Sequence, residues 1–105
     1  MNSVIYSKEQ LRDLLTPIFD EYRVKRAVLF GSYGKGLARS NSDIDILVDS
    51  SLKGLAFVGL IEAIHQATQK DVDLFDVRHI QPATPIDDEI KKTGVLLYET
   101  RSDHR

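Results

Sequence analysis

Cysteine is absent from the 105 residues, which excludes disulfide scaffolds, zinc–thiolate centres and thiol catalysis. Also missing is any apolar run long enough to span a bilayer, and the opening stretch MNSVIYSKEQ lacks the apolar core of a signal peptide. The two absences together give the expectation of a soluble, cytoplasmic protein. Nor is there an excess of basic charge. Fourteen Lys and Arg against sixteen Asp and Glu leave a formal charge of −2, whereas strong nonspecific binding to DNA or RNA needs a basic surface. No stable nucleic-acid binding is therefore expected, although a small anionic ligand is compatible with this balance. Repeats and low-complexity segments are missing too. What remains is an ordinary globular composition, 42% hydrophobic and 29% charged, long enough to bury one core. A single domain over residues 1–105 is the expectation.

Ser7, with Gln10 three residues later, has capping-box spacing and opens a helix. Leu11, Leu14, Leu15, Ile18, Phe19 and Tyr22 then recur at helical intervals. Pro17 lacks a backbone donor and crowds the preceding turn, which predicts a kink or a restart capped by Thr16. Arg26 to Phe30 reads as a short buried strand, and GSYGKGLARSNS after it as a Gly- and Ser-rich loop. Ile44 to Val48 is a second strand. Leu55 to Gln69 is a helix with Leu55, Val58, Ile61, Ile64 and His65 near one face. Val72 to Val77 is a third strand. Thr84 and Pro85 open another helix, Gly94 ends it, and Val95 to Tyr98 forms a fourth strand before the frayed tail RSDHR. The order helix, strand, strand, helix, strand, helix, strand predicts an α/β (α+β) domain, with a small mixed sheet and helices packed on one face.

The stretch FGSYGKGLARSNSDIDILV holds the chemistry. A buried strand delivers the chain into Gly31 and Ser32, and ten residues further on come Asp43 and Asp45. Residues two apart on a strand point to one side, so these carboxylates project together, roughly 6–7 Å apart along the chain. Their repulsion, about 2–3 kcal/mol at an effective dielectric of roughly 20, calls for a cation or a proton. Oxygen-only ligands favour Mg²⁺ or Mn²⁺ over Zn²⁺. Gly31, Gly34 and Gly36 allow close backbone approach to phosphate oxygens, Ser32 adds a hydroxyl, and Lys35 and Arg39 offer positive charge. The spacing is not that of a P-loop, because no Gly-Lys-Ser/Thr closes the turn. A Gly-rich turn alone commonly just joins two strands, and a lone Asp-x-Asp is commonly a solvated strand edge. The two together, at this spacing and between buried strands, carry the signal.

Among the later acidic residues, Asp71 and Asp73 share a strand face and Asp76 lies on the other. Periodicity cannot choose between Asp71 and Asp73. His65, His79 and His104 stand at no metal-ligand spacing from one another: His65 reads as packing on a helix, His79 as a surface turn, and His104 as part of the tail. Tyr33 lies inside the glycine-rich loop, where nucleotide contact and packing are both open. Asp87, Asp88 and Glu89 suit the first turn of a helix dipole.

Gly31-Ser32, ten residues, then Asp43-Ile44-Asp45 resembles the G-S-x10-D-x-D signature of minimal nucleotidyltransferases, in the DNA polymerase β superfamily. The apolar run ending in Phe30, the VDLFDV segment and the terminal GVLLYE are similar as well, so the resemblance covers nearly the whole chain. Many members carry Ala-Arg-Gly where this chain has Gly34-Lys35-Gly36, and lysine keeps the charge but lacks the bidentate fork. The resemblance implies a polymerase-β-like palm and an Mg²⁺-dependent transfer of a nucleotide, with ATP as substrate. It implies Asp73 as the third carboxylate, two Mg²⁺ ions (or Mn²⁺) held by Asp43, Asp45 and Asp73, and phosphate contacts from Gly31, Ser32 and Lys35. Asp73 is also implied as acceptor of the proton from the attacking hydroxyl.

Larger relatives add a helical domain that holds the acceptor, and the length here leaves none to build. Small members of the family accompany a HEPN-domain toxin and act as its antitoxin, some by transferring AMP to a toxin tyrosine. The resemblance therefore implies an antitoxin that adenylylates its HEPN partner. Two other readings stand beside it: an antitoxin that neutralises by binding alone, and a small-molecule nucleotidyltransferase of the aminoglycoside-modifying kind.

Overall fold

The computed structural model describes residues 3–100; the tail RSDHR and His104 lie outside them. Helix α1 (Lys8–Glu21) opens on the expected capping box, with the Gln10 amide donating to Ser7 Oγ at 3.0 Å and the Ser7 amide to Gln10 Oε1 at 2.8 Å. It neither restarts nor breaks at Pro17. Thr16 caps nothing, and its hydroxyl donates back to the Arg12 carbonyl at 2.7 Å. Leu11, Leu15 and Phe19 are fully buried on both sides of the proline, and that shared burial holds the two halves as one helix despite the lost donor.

Strands β1 (Arg26–Phe30), β2 (Ile44–Asp49), β3 (Val72–Asp76) and β4 (Val95–Glu99) form one mixed sheet in the order β3-β2-β1-β4. β1 is antiparallel to β2 and β4, and β2 is parallel to β3. The segment after β1 departs from the expected loop. Gly31–Lys35 forms a single helical turn, α2, closed by Gly36 in the left-handed region at φ 76°. The remaining residues, 37–42, make the connection, tightened where the Arg39 amide donates to Ser42 Oγ at 2.8 Å.

Helix α3 (Leu55–Thr68) makes the crossover between the two parallel strands. Its buried row is Leu60, Ile64 and Thr68, whereas Leu55 and Val58 are 88% and 56% exposed. The expected apolar face is thus rotated from the real one, which runs from Phe57 through Leu60 and Ile64 to Thr68. β3 ends at Asp76, one residue early, since that carboxylate caps the 3₁₀ turn Val77–His79 by accepting from the Arg78 amide. Helix α4 (Pro85–Thr93) has the expected Thr84 cap and exit at Gly94.

α1 and α3 pack over one face of the sheet on Ala27, Leu29, Ile44, Ile46, Val48 and Leu97. α4 is the departure from a single helical layer. Its Ile86 and Ile90 meet Val28, Phe30 and Leu47 on the opposite face, alongside Phe75 and Ile80. None of the described helices is long and apolar enough to cross a membrane.

Candidate active site

The alternation of β2 puts Ile44 and Ile46 into the main core and leaves Asp43, Asp45 and Leu47 on the other face. Asp45 stands opposite Phe30 on β1 and opposite Asp73 on β3. The parallel register thus separates the two residues that periodicity left together. Asp73 is the carboxylate beside Asp45, while the Asp71 carbonyl accepts the Ile44 amide at 3.0 Å to start the strand pair. Asp76 faces the other way and is fully buried, as its strand parity required. It accepts from Ser50 Oγ at 2.8 Å and from Arg78 Nε at 2.9 Å. Burial would push this carboxyl up, but the bonds from Arg78 and Ser50 outweigh it and hold Asp76 below the usual carboxylate range.

Gly31 follows Phe30 with φ +70°, and a Cβ there would collide with Asp45 Oδ2. The position needs glycine for its backbone angle, and any side chain there would also have to displace the Asp45 carboxylate. The Gly31 amide is already used, donating to Thr93 Oγ1 at 2.9 Å. Ser32 lies half-buried in the same turn. Asp45 is pushed up to about 6 by partial burial first, then by repulsion from Asp73, a hydrogen bond shared with it, and the charges of Asp43 and Glu89. Asp43 and Asp73 are exposed. The carboxylate edge thus carries more negative charge than its own surroundings neutralise.

Two other singled-out residues lie further along the same turn. Lys35, at the far end of α2, lines a cleft of about 570 Å³ with Tyr6, Tyr33 and Val95, and none of the three aspartates lines that cleft. Tyr33 is buried in the core, where burial raises its hydroxyl pKa, so the packing alternative holds for it. His65 packs as expected, with Nδ1 2.7 Å from the Lys70 carbonyl oxygen. His79 is exposed in the 3₁₀ turn.

Sequence reasoning missed three supporting residues. Lys70 is only 6% exposed, and its Nζ donates to the Ser40 carbonyl at 2.8 Å, fixing the turn that leads into Asp43. Its one visible signal was a lysine standing directly before Asp71 and Asp73. Glu89, expected only as a helix-dipole residue, adds its charge at Asp45. Thr93 looked like nothing more than the residue before a helix-ending glycine.

A hard divalent cation suits this donor set. Among the described residues, no three His, Cys, Asp or Glu side chains are arranged as a ready-made metal cage. Mg²⁺ typically relies on one or two carboxylates and completes its shell with water and substrate phosphates, and the oxygen-only pair Asp45 and Asp73, with Asp43 nearby, offers that much.

A family model described as "Polymerase beta, Nucleotidyltransferase" matches residues 13–103. The chain belongs to this family. Within it, the protein adenylyltransferase MntA of Shewanella oneidensis is 36% identical over 77 residues, 71% of this chain and 54% of that protein. The chain thus matches about half the length of that relative. A crystal structure of a toxin–antitoxin with AMP-PNP matches with a TM-score of 0.71 at 29% identity, over 86% of this chain and 74% of the other. A structure of the tri-AMPylated Shewanella oneidensis HEPN toxin with its MNT antitoxin gives 0.67 at 25% identity, over 89% and 73%. A chain in each of those structures thus shares the fold of this nucleotidyltransferase-family chain.

Proposed function

We propose that the chain transfers AMP from ATP to a hydroxyl, a tyrosine in first place, of a HEPN-domain toxin and thereby acts as its antitoxin. The observation that carries this reading is the register that sets Asp73 beside Asp45, with Asp45 packed on Gly31. Relatives named as a protein adenylyltransferase and as an antitoxin bound to its AMPylated toxin support the choice of nucleotide and acceptor.

In this reading the triphosphate lies along Gly31 and Ser32, with the Ser32 hydroxyl donating to a phosphate oxygen. Lys35, exposed at the end of the same turn, adds positive charge toward the phosphates. Asp43, Asp45 and Asp73 would hold Mg²⁺, as two ions, with Mn²⁺ a chemical substitute, and water and phosphate oxygens would complete their shells. When bound, the metal neutralises phosphate charge and lowers the pKa of the acceptor hydroxyl. The acceptor oxygen forms a bond to the α-phosphorus, the bond from that phosphorus to pyrophosphate breaks, and the proton passes to Asp73. Asp73 suits that task because it is exposed at the edge where an acceptor arrives.

The test incubates the protein, its cognate HEPN partner and Mg²⁺ with α-phosphate-labelled ATP. A labelled partner band is expected, reduced by about two orders of magnitude or more in Asp45→Asn. An unlabelled partner, with both proteins folded and ATP present, overturns the reading.

A further inference from the structure

We infer that Thr93 is a positioning residue, holding the phosphate turn α2 against Asp45 through one hydroxyl and one carbonyl. Thr93 ends α4 and is 8% exposed. Its Oγ1 donates to the Glu89 carbonyl at 2.7 Å and accepts from the Gly31 amide at 2.9 Å. A hydroxyl has a single proton and spare lone pairs, so donating to Glu89 orients it to receive Gly31. The Gly31 amide is an N-terminal donor of a helical turn, without an intrahelical acceptor, and it is buried. Thr93 is its partner.

The same residue meets the other end of the turn. A Cβ on Gly34 would collide with the Thr93 carbonyl oxygen, so α2 rests backbone against backbone on the last turn of α4. Thr93 thus touches α2 at Gly31 through its side chain and at Gly34 through its main chain. Gly31 in turn has no room for a Cβ beside Asp45 Oδ2. A shift of the turn therefore changes the distance between the phosphate-binding segment and the carboxylate, and misplacements of this kind are costly in a reaction that depends on alignment.

The kinetic consequence rests on the nucleotidyl-transfer reading; the structural consequence does not, and the experiment separates them. In the wild-type protein, hydrogen exchange followed by NMR is expected to show the Gly31 amide protected like the β1 core amides. An amide exchanging as fast as those of the exposed 37–42 connection overturns the proposal. Thr93→Val keeps the volume and removes the acceptor, and Thr93→Ser restores the hydroxyl. Thr93→Val is expected to speed exchange at 31–35 by about 10-fold or more with α1 and β1 unchanged, and to lower kcat by roughly 10–100-fold while KM for ATP moves much less. Thr93→Ser is expected to stay within about 3-fold of wild type on both measures. Wild-type exchange and turnover in Thr93→Val, or a Thr93→Ser as impaired as Thr93→Val, overturns the proposal. Should Thr93→Val fail to fold, the wild-type exchange and Thr93→Ser decide. Should the wild type transfer nothing, the function fails, and exchange still judges the role of Thr93.

Discussion

At Asp45 the carboxyl is pushed up to about 6 by partial burial, with Asp73, Asp43 and Glu89 adding to it. A carboxylate whose folded pKa exceeds its unfolded one stabilises the fold fully below the unfolded value, and that contribution is lost as pH rises through the folded one. Here the loss runs from about pH 4 to about 6. Asn in place of Asp45 keeps the shape and cannot ionise, so at pH 7.5 Asp45→Asn should be more stable than wild type. The gain is about 1 kcal/mol after allowing for solvent screening of a part-exposed group, or roughly 4–8 °C in Tm. The advantage should shrink towards zero near pH 4. Melting curves at the two pH values, in a chelator to remove metal, check this, and a variant less stable than wild type at pH 7.5 contradicts it. The residue that the proposed chemistry needs most is therefore one the bare fold would be better without.

At the scale of elements, α1 keeps an exposed proline inside a continuous helix. The ring forfeits a hydrogen bond that a buried apolar stripe makes dispensable. Pro17→Ala should therefore raise stability by roughly 1–3 kcal/mol, read as a higher denaturant midpoint with an unchanged slope. An unchanged midpoint would mean the helix has already relaxed around the ring.

The same element shows how far the sequence was legible. The Ser7 and Gln10 cap, the four strands and the Thr84 to Gly94 helix were readable because short-range chemistry fixes them. The continuity of α1 was not, because it depends on tertiary burial of Leu11, Leu15 and Phe19. The glycine-rich stretch concealed a helical turn, since its glycines serve close packing against Asp45 and Thr93 and not only chain flexibility. Of the candidate site, the Asp43 and Asp45 pair follows from strand alternation, and placing Asp73 beside Asp45 required the β2–β3 register. Thr93 and Lys70 act through hydrogen bonds to residues 62 and 30 positions away, and no local pattern encodes such a distance.

At the scale of the molecule, the two faces of the sheet are treated unequally. α1 and α3 cover one face, while α4 covers the other only in part and leaves Asp43 and Asp73 exposed at the end of the sheet. This exposed edge is acidic and the formal charge of the whole chain is −2, an arrangement that repels a polyanion at the carboxylate edge. Neither a labelled duplex nor a single strand should be retarded in a gel at about 0.1 M salt. Retardation that weakens steeply with salt would reveal a basic surface elsewhere on the molecule and contradict the prediction.

The strand order sets when in folding the proposed site is assembled. β1, α2 and β2 follow one another directly, and they carry Gly31, Ser32, Asp43 and Asp45. Asp73 arrives only after the α3 crossover, in a parallel pairing of the kind that forms late. Thr93 arrives later still in the chain. A nascent or partly unfolded chain that has built only β1, α2 and β2 displays the whole signature motif and still lacks Asp73 beside Asp45 and the contact of Thr93 with α2. In the proposed reading, catalytic competence is thereby tied to completion of the fold.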